Sequence, residues 1–194
     1  EFSLGGKANK EHRHIRNKLE REGCLFEVVE AAAVSALLPE LRAISDAWLE
    51  SKNAREKGFS LGRFEDEYLC QLPCALVRQH GCIVAFANLW KGAPGGELSI
   101  DLMRHRREMA SGTMDFLFVS LFEWARKQGY ATFNLGLSGL AGIGDHGDDP
   151  MVERALHYIY EHVKHVYNFK GLHQFKAKFH PHWSPRYLIY PGVA

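Results

Sequence analysis

Residues Thr113 to Gln128 constrain the fold more than any other stretch: Met114, Phe116, Leu117, Phe118, Val119, Leu121, Phe122, Trp124 and Ala125 make the segment apolar on nearly every side. A surface helix shows one apolar stripe, so a helix apolar all round must be covered twice, by a sheet and by another element. Strand-like segments flank it, Leu98 to Met103 before and Tyr130 to Gly136 after. Between the first strand and the helix lies the basic loop Arg104-His105-Arg106-Arg107. Acidic and basic side chains thus gather where a strand hands over to a helix N-terminus. The unpaired N–H groups and positive dipole end of such a terminus suit a phosphate or a reacting carbonyl oxygen. The pattern points to a transferase.

The preceding chain supplies the sheet. Lys7 to Glu22 reads as a helix with Ile15 and Leu19 at helical spacing, ended by Gly23. Cys24 to Glu30 follows as a strand, and Ala31 to Glu50 as an amphipathic helical region interrupted at Pro39. A glycine-punctuated turn, Lys57 to Phe64, leads into a short helical piece, Glu65 to Leu69. Pro73 to Gln79 and Cys82 to Leu89 form a hairpin about His80-Gly81, and Glu97 to Met103 continues the meander after the turn Gly92 to Gly96. Beyond the central helix come a glycine-rich loop, Leu137 to Pro150, a helix, Met151 to Val166, a short aromatic segment, Phe169 to Phe179, and a last strand, Tyr187 to Tyr190.

With 194 residues, 46% of them hydrophobic, the chain can bury a sizeable core as one domain or one large domain with an appendage. A formal net charge of +1 gives no global pull toward nucleic acid or membrane. Cys24, Cys70, Cys74 and Cys82 lack metal or redox spacing and are expected reduced and mostly buried. No apolar run of roughly 18 residues and no signal-peptide pattern occurs, so the expected location is the cytoplasmic side. The abrupt start at Glu1-Phe2-Ser3-Leu4 reads as a fragment of a longer protein.

Meander, basic loop, helix, strand, helix, strand is the order of a GNAT-like acyltransferase lobe: α/β, with a central mixed, mostly antiparallel sheet flanked by helices. In that fold the strand-to-helix loop usually carries an Arg/Gln-x-x-Gly-x-Gly/Ala run that wraps the pyrophosphate of coenzyme A. Arg107-Glu108-Met109-Ala110-Ser111-Gly112 lacks that spacing and brings an acid, which disfavours an acyl-CoA donor.

Several segments together resemble the C-terminal catalytic domain of the bacterial aminoacyl-phosphatidylglycerol synthases, also called phosphatidylglycerol lysyltransferases or multiple peptide resistance factors. They are Ile44 to Leu49, Glu56 to Gly62, Ala85 to Leu89, Ile100 to Arg104, Gly112 to Asp115, Phe133 to Gly136, Tyr167 to Leu172, Phe175 to Phe179 and Pro185 to Leu188, in family order over essentially the whole chain. The resemblance implies transfer of an aminoacyl group, lysyl or alanyl, from aminoacyl-tRNA to a glycerol hydroxyl of phosphatidylglycerol at the cytoplasmic face of the bacterial membrane. The product masks lipid charge and resists cationic antimicrobial peptides. No metal or redox cofactor is implied. It further implies a preceding lobe and a membrane flippase module in the same polypeptide, with residues 1–23 as a connecting basic helix and 24–194 as the catalytic lobe.

Asp101 is the candidate general base, or the carboxylate that reads the donor's α-ammonium group; alternatively it braces the loop by pairing with Arg104. Arg104 is a candidate fork for a lipid or tRNA phosphate. Lys176 and Lys178, two apart in an extended segment, would share one basic side, with Phe175, Ala177 and Phe179 on the other. Lys176 is assigned to phosphate binding or oxyanion stabilisation and Lys178 to substrate binding, or both are solvated edge lysines. Tyr68 and Glu161 are candidates for substrate hydrogen bonding and amino-group recognition, unless Glu161 simply pairs with His157, His165 or Lys164. Arg13 and Arg16, in the basic helix, are candidates for the tRNA acceptor stem, or that helix is merely solvated. His157, Glu161, His162 and His165 share a helix without forming an H-E-x-x-H run, so no metal site is assigned. Other readings are a different GNAT-fold acyltransferase, aminoacyl-tRNA-dependent or acyl-CoA-dependent, or a non-catalytic tRNA- or membrane-binding module.

Overall fold

The structure is a computed structural model that describes residues 4–7, 9–52, 56, 62–144, 146–147, 149–162 and 169–187. It divides into two units, Glu1–Gly136 and Leu137–Ala194. The first holds a five-stranded sheet in chain order: β1 (Cys24–Val29), β2 (Cys74–Gln79), β3 (Cys82–Lys91), β4 (Glu97–His105) and β5 (Thr132–Asn134). The first four strands are antiparallel, and β5 runs parallel to β4. A parallel neighbour needs a crossover, which the apolar helix α5 (Thr113–Lys127) provides. This is the mixed, mostly antiparallel sheet that the order of elements in the sequence predicts. His80 and Gly81, at φ of 51° and 85°, supply the two left-handed residues that a tight β2–β3 hairpin requires.

Alternation along the strands splits the core in two. Ala75, Val77, Ala85, Ala87, Leu89 and Leu98 pack against Phe116, Leu117, Leu121 and Ala125 of α5, together with Ile15 and Leu19 of α1 (Lys10–Arg21). The sheet and α1 are therefore the two covers that α5 demands. On the opposite face Cys74, Leu76, Ile83, Phe86 and Leu102 pack against Val34 of α2 (Ala31–Val34), Leu41 and Ile44 of α3 (Leu38–Ser51) and Leu69 of α4 (Asp66–Leu69). Each fully buried Leu, Ile or Phe stabilises by about 1.5–3 kcal/mol. Pro39 interrupts nothing: it lies in the first turn of α3, where its missing N–H has no helical partner to lose. Of the cysteines, Cys24 and Cys74 are buried, Cys70 is half-buried and Cys82 is exposed.

The β3–β4 ladder slips once, between the pairs Ala87↔Met103 and Leu89↔Ile100, so β4 carries one residue more than β3 there. Side chains alternate along a regular strand, and Asp101 and Arg104, three apart, would face opposite sides. The bulge reverses the alternation. Ile100 and Met103 both pack in the α5-side cluster, whereas Asp101 meets Tyr68 of α4 and Arg104 meets Trp48 of α3. Two charged groups that the sequence period separates are thereby brought to one face.

In the second unit α6 (Met151–His162) and α7 (Phe169–Ala177) are the helices among the described residues. Lys176 is helical, not extended as the two-residue spacing predicts. Phe175 and Phe179, four apart, meet edge-on with centroids 5.5 Å from each other, and a helical turn satisfies that pairing better than a strand does. Tyr187 is exposed and outside any strand; the rest of the predicted last strand lies outside the described residues.

Candidate functional site

On the α3/α4 face of the sheet, the phenol of Tyr68 donates a hydrogen bond to Asp101 Oδ2 and accepts one from Trp90 Nε1 at 2.8 Å. The indole fixes the phenolic oxygen as acceptor, so the phenolic hydrogen is left for the carboxylate. Burial raises the Tyr68 pKa and the bond to Asp101 raises it further, while Trp90 and Asn88 draw it down. Tyr68 therefore stays protonated at neutral pH and serves as a donor rather than a phenolate base. Gly62 presses its backbone against the acid: at φ of 80°, a Cβ there would sit 3.1 Å from Asp101 Oδ1.

Arg104 is 8% exposed. Its guanidinium lies 4.3 Å from the centroid of the Trp48 ring, Nη1 donates to Met103 O at 3.0 Å, and Nη2 donates to the Glu56 carboxylate oxygens at 3.3 and 3.4 Å. Burial lowers its pKa, and the charges of Glu56 and Asp101 partly restore it. Among the described residues no ion pair joins Asp101 to Arg104; each is held by another partner, and Arg104 supplies a nearby positive field. Its Nε is buried without a hydrogen-bond partner.

The N-terminus of α5 is not the open phosphate seat that the sequence predicts. Gly112 caps it at φ of 94°, and a Cβ there would stand 3.2 Å from Ile15 Cγ2 of α1. Thr113 is buried and turned back onto Ala110 O, and the acid Asp115 is buried in the first turn. Asp101 and Arg104 contact α4 and α3 instead of gathering at this terminus.

Arg13 and Arg16 are engaged within the first unit. Arg13 donates to the carbonyls of Leu4 and Gly6, and Arg16 pairs with Glu123 of α5 at 2.9 Å. Arg16 also lines a groove of about 320 Å³ with Glu20, Glu123 and Lys127, whose mixed charges cancel. Lys10, His14 and Arg21 remain exposed on one face of α1.

The second unit carries Lys176, Lys178 and Glu161. Lys176 is buried, and its Nζ donates to Leu137 O at 2.9 Å; burial brings its pKa down to about 8. It thus remains mostly an ammonium at neutral pH, though far closer to losing its proton than an exposed lysine. Lys178 is exposed, with Nζ 5.2 Å from the centroid of Phe175. Glu161 accepts from Lys170 of α7, which lowers its carboxyl pKa. That partner lies on the next helix; of the pairs predicted within α6, Lys164 and His165 lie outside the described residues.

No pattern in the sequence assigns a role to Trp48, Glu56, Gly62, Asn88 or Trp90. One signal was available, a polar Asn88 inside the apolar run Cys82 to Leu89, where a carboxamide has to earn its burial.

Among known families, the one described as phosphatidylglycerol lysyltransferase, C-terminal, matches residues 1–190. The phosphatidylglycerol lysyltransferase of Bacillus subtilis (strain 168) is 43% identical over 190 residues, covering 97% of this chain and 22% of that protein. The Staphylococcus aureus (strain MSSA476) protein of the same name is 33% identical over 98% of this chain and 22% of its own. The chain thus spans about a fifth of the length of these relatives. Among solved structures, the C-terminal domain of a putative lysylphosphatidylglycerol synthetase from Agrobacterium fabrum superposes with a TM-score of 0.80 at 44% identity, covering 95% of this chain and 55% of that one. L-PGS from Bacillus licheniformis gives 0.75 at 39% identity, covering 94% and 54%.

Proposed function

The chain belongs to the phosphatidylglycerol lysyltransferase C-terminal family, and from that premise we propose that it is the part of a longer synthase that moves a lysyl group from aminoacyl-tRNA to a glycerol hydroxyl of phosphatidylglycerol. The acceptor stands at the cytoplasmic membrane face, and the product masks lipid charge against cationic peptides. Among the described residues no helix is long and apolar enough to cross a membrane. The observation that carries the reading is the Tyr68–Asp101 pair beside the Trp48-stacked Arg104 on one face of the sheet.

The reaction exchanges one ester for another. The glycerol oxygen attacks the aminoacyl carbonyl carbon, the bond to the ribose 3′ oxygen breaks, and one proton passes from the attacking hydroxyl to the leaving one. Asp101 takes the proton or holds the donor's α-ammonium group; Tyr68 orients Asp101; Arg104 adds positive field for the developing oxyanion. Lys176 supports the oxyanion or a phosphate, with Lys178 and Glu161 in substrate contact. On α1, Arg13 and Arg16 hold the helix so that its exposed basic face meets the tRNA. The test incubates the longer synthase with phosphatidylglycerol and individually charged, labelled tRNAs, followed by lipid chromatography. Labelled lysyl lipid supports the reading, and no labelled lipid from any donor refutes it.

A further inference from the structure

Asn88 lies on β3 directly opposite the β4 bulge and is fully buried. Its Oδ1 accepts the Leu102 N–H at 2.7 Å at the point where the β3–β4 ladder slips. Its Nδ2 is buried beside the Tyr68 phenol without a hydrogen bond of normal geometry. A buried carboxamide whose Nδ2 reaches the Tyr68 phenol only in poor geometry is a costly choice for a core strand, and an aliphatic side chain of similar size would avoid the cost. What Asn88 uniquely contributes is the acceptor at Leu102. From this we propose that Asn88 is a positioning residue for the transfer reaction: its side-chain oxygen pins the β4 bulge and so keeps Asp101 and Arg104 on the same face of the sheet.

This inference rests on the functional reading above and extends it to a residue that touches neither substrate nor the reacting atoms. Without the bulge, regular alternation would turn either Asp101 or Arg104 toward α5, three residues being an odd step along a strand. Tyr68 would then lose Asp101, or Trp48 would lose Arg104. Misplacement of about 1 Å in a positioned group costs on the order of 100-fold in rate.

The test compares Asn88→Leu, which removes the acceptor at nearly constant volume, with Asn88→Asp, which keeps an oxygen facing Leu102. Two readouts are taken: amide hydrogen exchange at Leu102 in this chain, and lysyl transfer by the longer synthase carrying the same substitutions. Asn88→Leu should speed Leu102 exchange at least about tenfold and lower kcat about 100-fold, with KM for lipid and tRNA held within about twofold. Asn88→Asp should keep Leu102 protected and recover at least about tenfold of the lost kcat. A general loss of fold would instead speed exchange of amides throughout the sheet, whereas the proposal confines the faster exchange to Leu102 and its neighbours at the bulge. Protection of Leu102 that survives Asn88→Leu overturns the proposal, as does an Asp variant no better than the Leu variant. If Asn88→Leu does not fold, protection of Leu102 in Asn88→Asp decides: present it supports the pinning, absent it ends it. Should the unsubstituted synthase make no aminoacyl lipid, the functional reading fails, while Leu102 exchange still decides whether Asn88 holds the bulge.

Discussion

Lys176 shows how a single side chain can be kept against the interest of stability. Its ammonium is buried and donates to Leu137 O, and its pKa of about 8 lies well below the 10.5 of a free lysine. Between those two values the unfolded chain binds more protons than the folded one, so the free energy of unfolding rises with pH across that window. Below about pH 8 the folded state carries the full penalty of a buried charge. Lys176→Met should therefore stabilise the chain at pH 7 by roughly 1–3 kcal/mol, should remove the rise between pH 8 and 10, and should still abolish transfer. Denaturant titrations at pH 7 and 9.5 check the first two; a variant less stable at pH 7 would refute the assignment. Tyr68→Phe is the companion experiment on the other unit. It deletes the donor to Asp101 and the acceptor of Trp90, so it should reduce kcat about 10- to 100-fold and change the Trp90 fluorescence, at little cost to melting temperature.

The strands and helices were largely legible because their periods are. Alternation marks β2 and β3, the His80-Gly81 turn joins them, and the all-round apolar character of Thr113 to Gln128 foretells a helix with two covers. Two elements misled for physical reasons. Lys176 and Lys178 fit a strand by their spacing, yet the Phe175–Phe179 contact belongs to a helical turn. The bulge was invisible because it depends on a side-chain bond between strands, Asn88 to Leu102, and not on local pattern. The face shared by Asp101 and Arg104 was hidden with it, although both residues were identified. Glycine marks one close approach at the site: Gly62→Ala combines a left-handed φ with a Cβ 3.1 Å from Asp101 Oδ1. The cost should be about 1–3 kcal/mol, accompanied by loss of transfer. On α1, opposite charges at Arg16 and at Lys10 with Arg21 should act differently. Arg16→Glu faces Glu123 and Glu20 and should lower stability by about 1 kcal/mol, whereas Lys10→Glu with Arg21→Glu should leave stability nearly unchanged and raise KM for tRNA at low salt. Equal effects in both assays would remove the tRNA-facing role of α1.

For the molecule as a whole, the two units divide the proposed work. The first presents an oriented carboxylate and a buried, ring-stacked guanidinium on one sheet face; the second presents a buried lysine whose pKa burial lowers to about 8. An ester exchange asks for little more than positioning, a proton acceptor and a cation for the oxyanion, and the first unit alone holds a carboxylate and a guanidinium suited to those tasks. At the N-terminus of α5, Gly112 packs against Ile15 and Asp115 is buried in the first turn. The decisive measurement is therefore made on the longer synthase with labelled lysyl-tRNA and phosphatidylglycerol vesicles, comparing the unsubstituted protein with one carrying Asp101→Ala and Lys176→Ala together. Labelled lysyl-phosphatidylglycerol from the first and a loss of at least about 1,000-fold in the second is the expected result; lipid labelling that persists in the double variant contradicts the assignment of the chemistry to these two units.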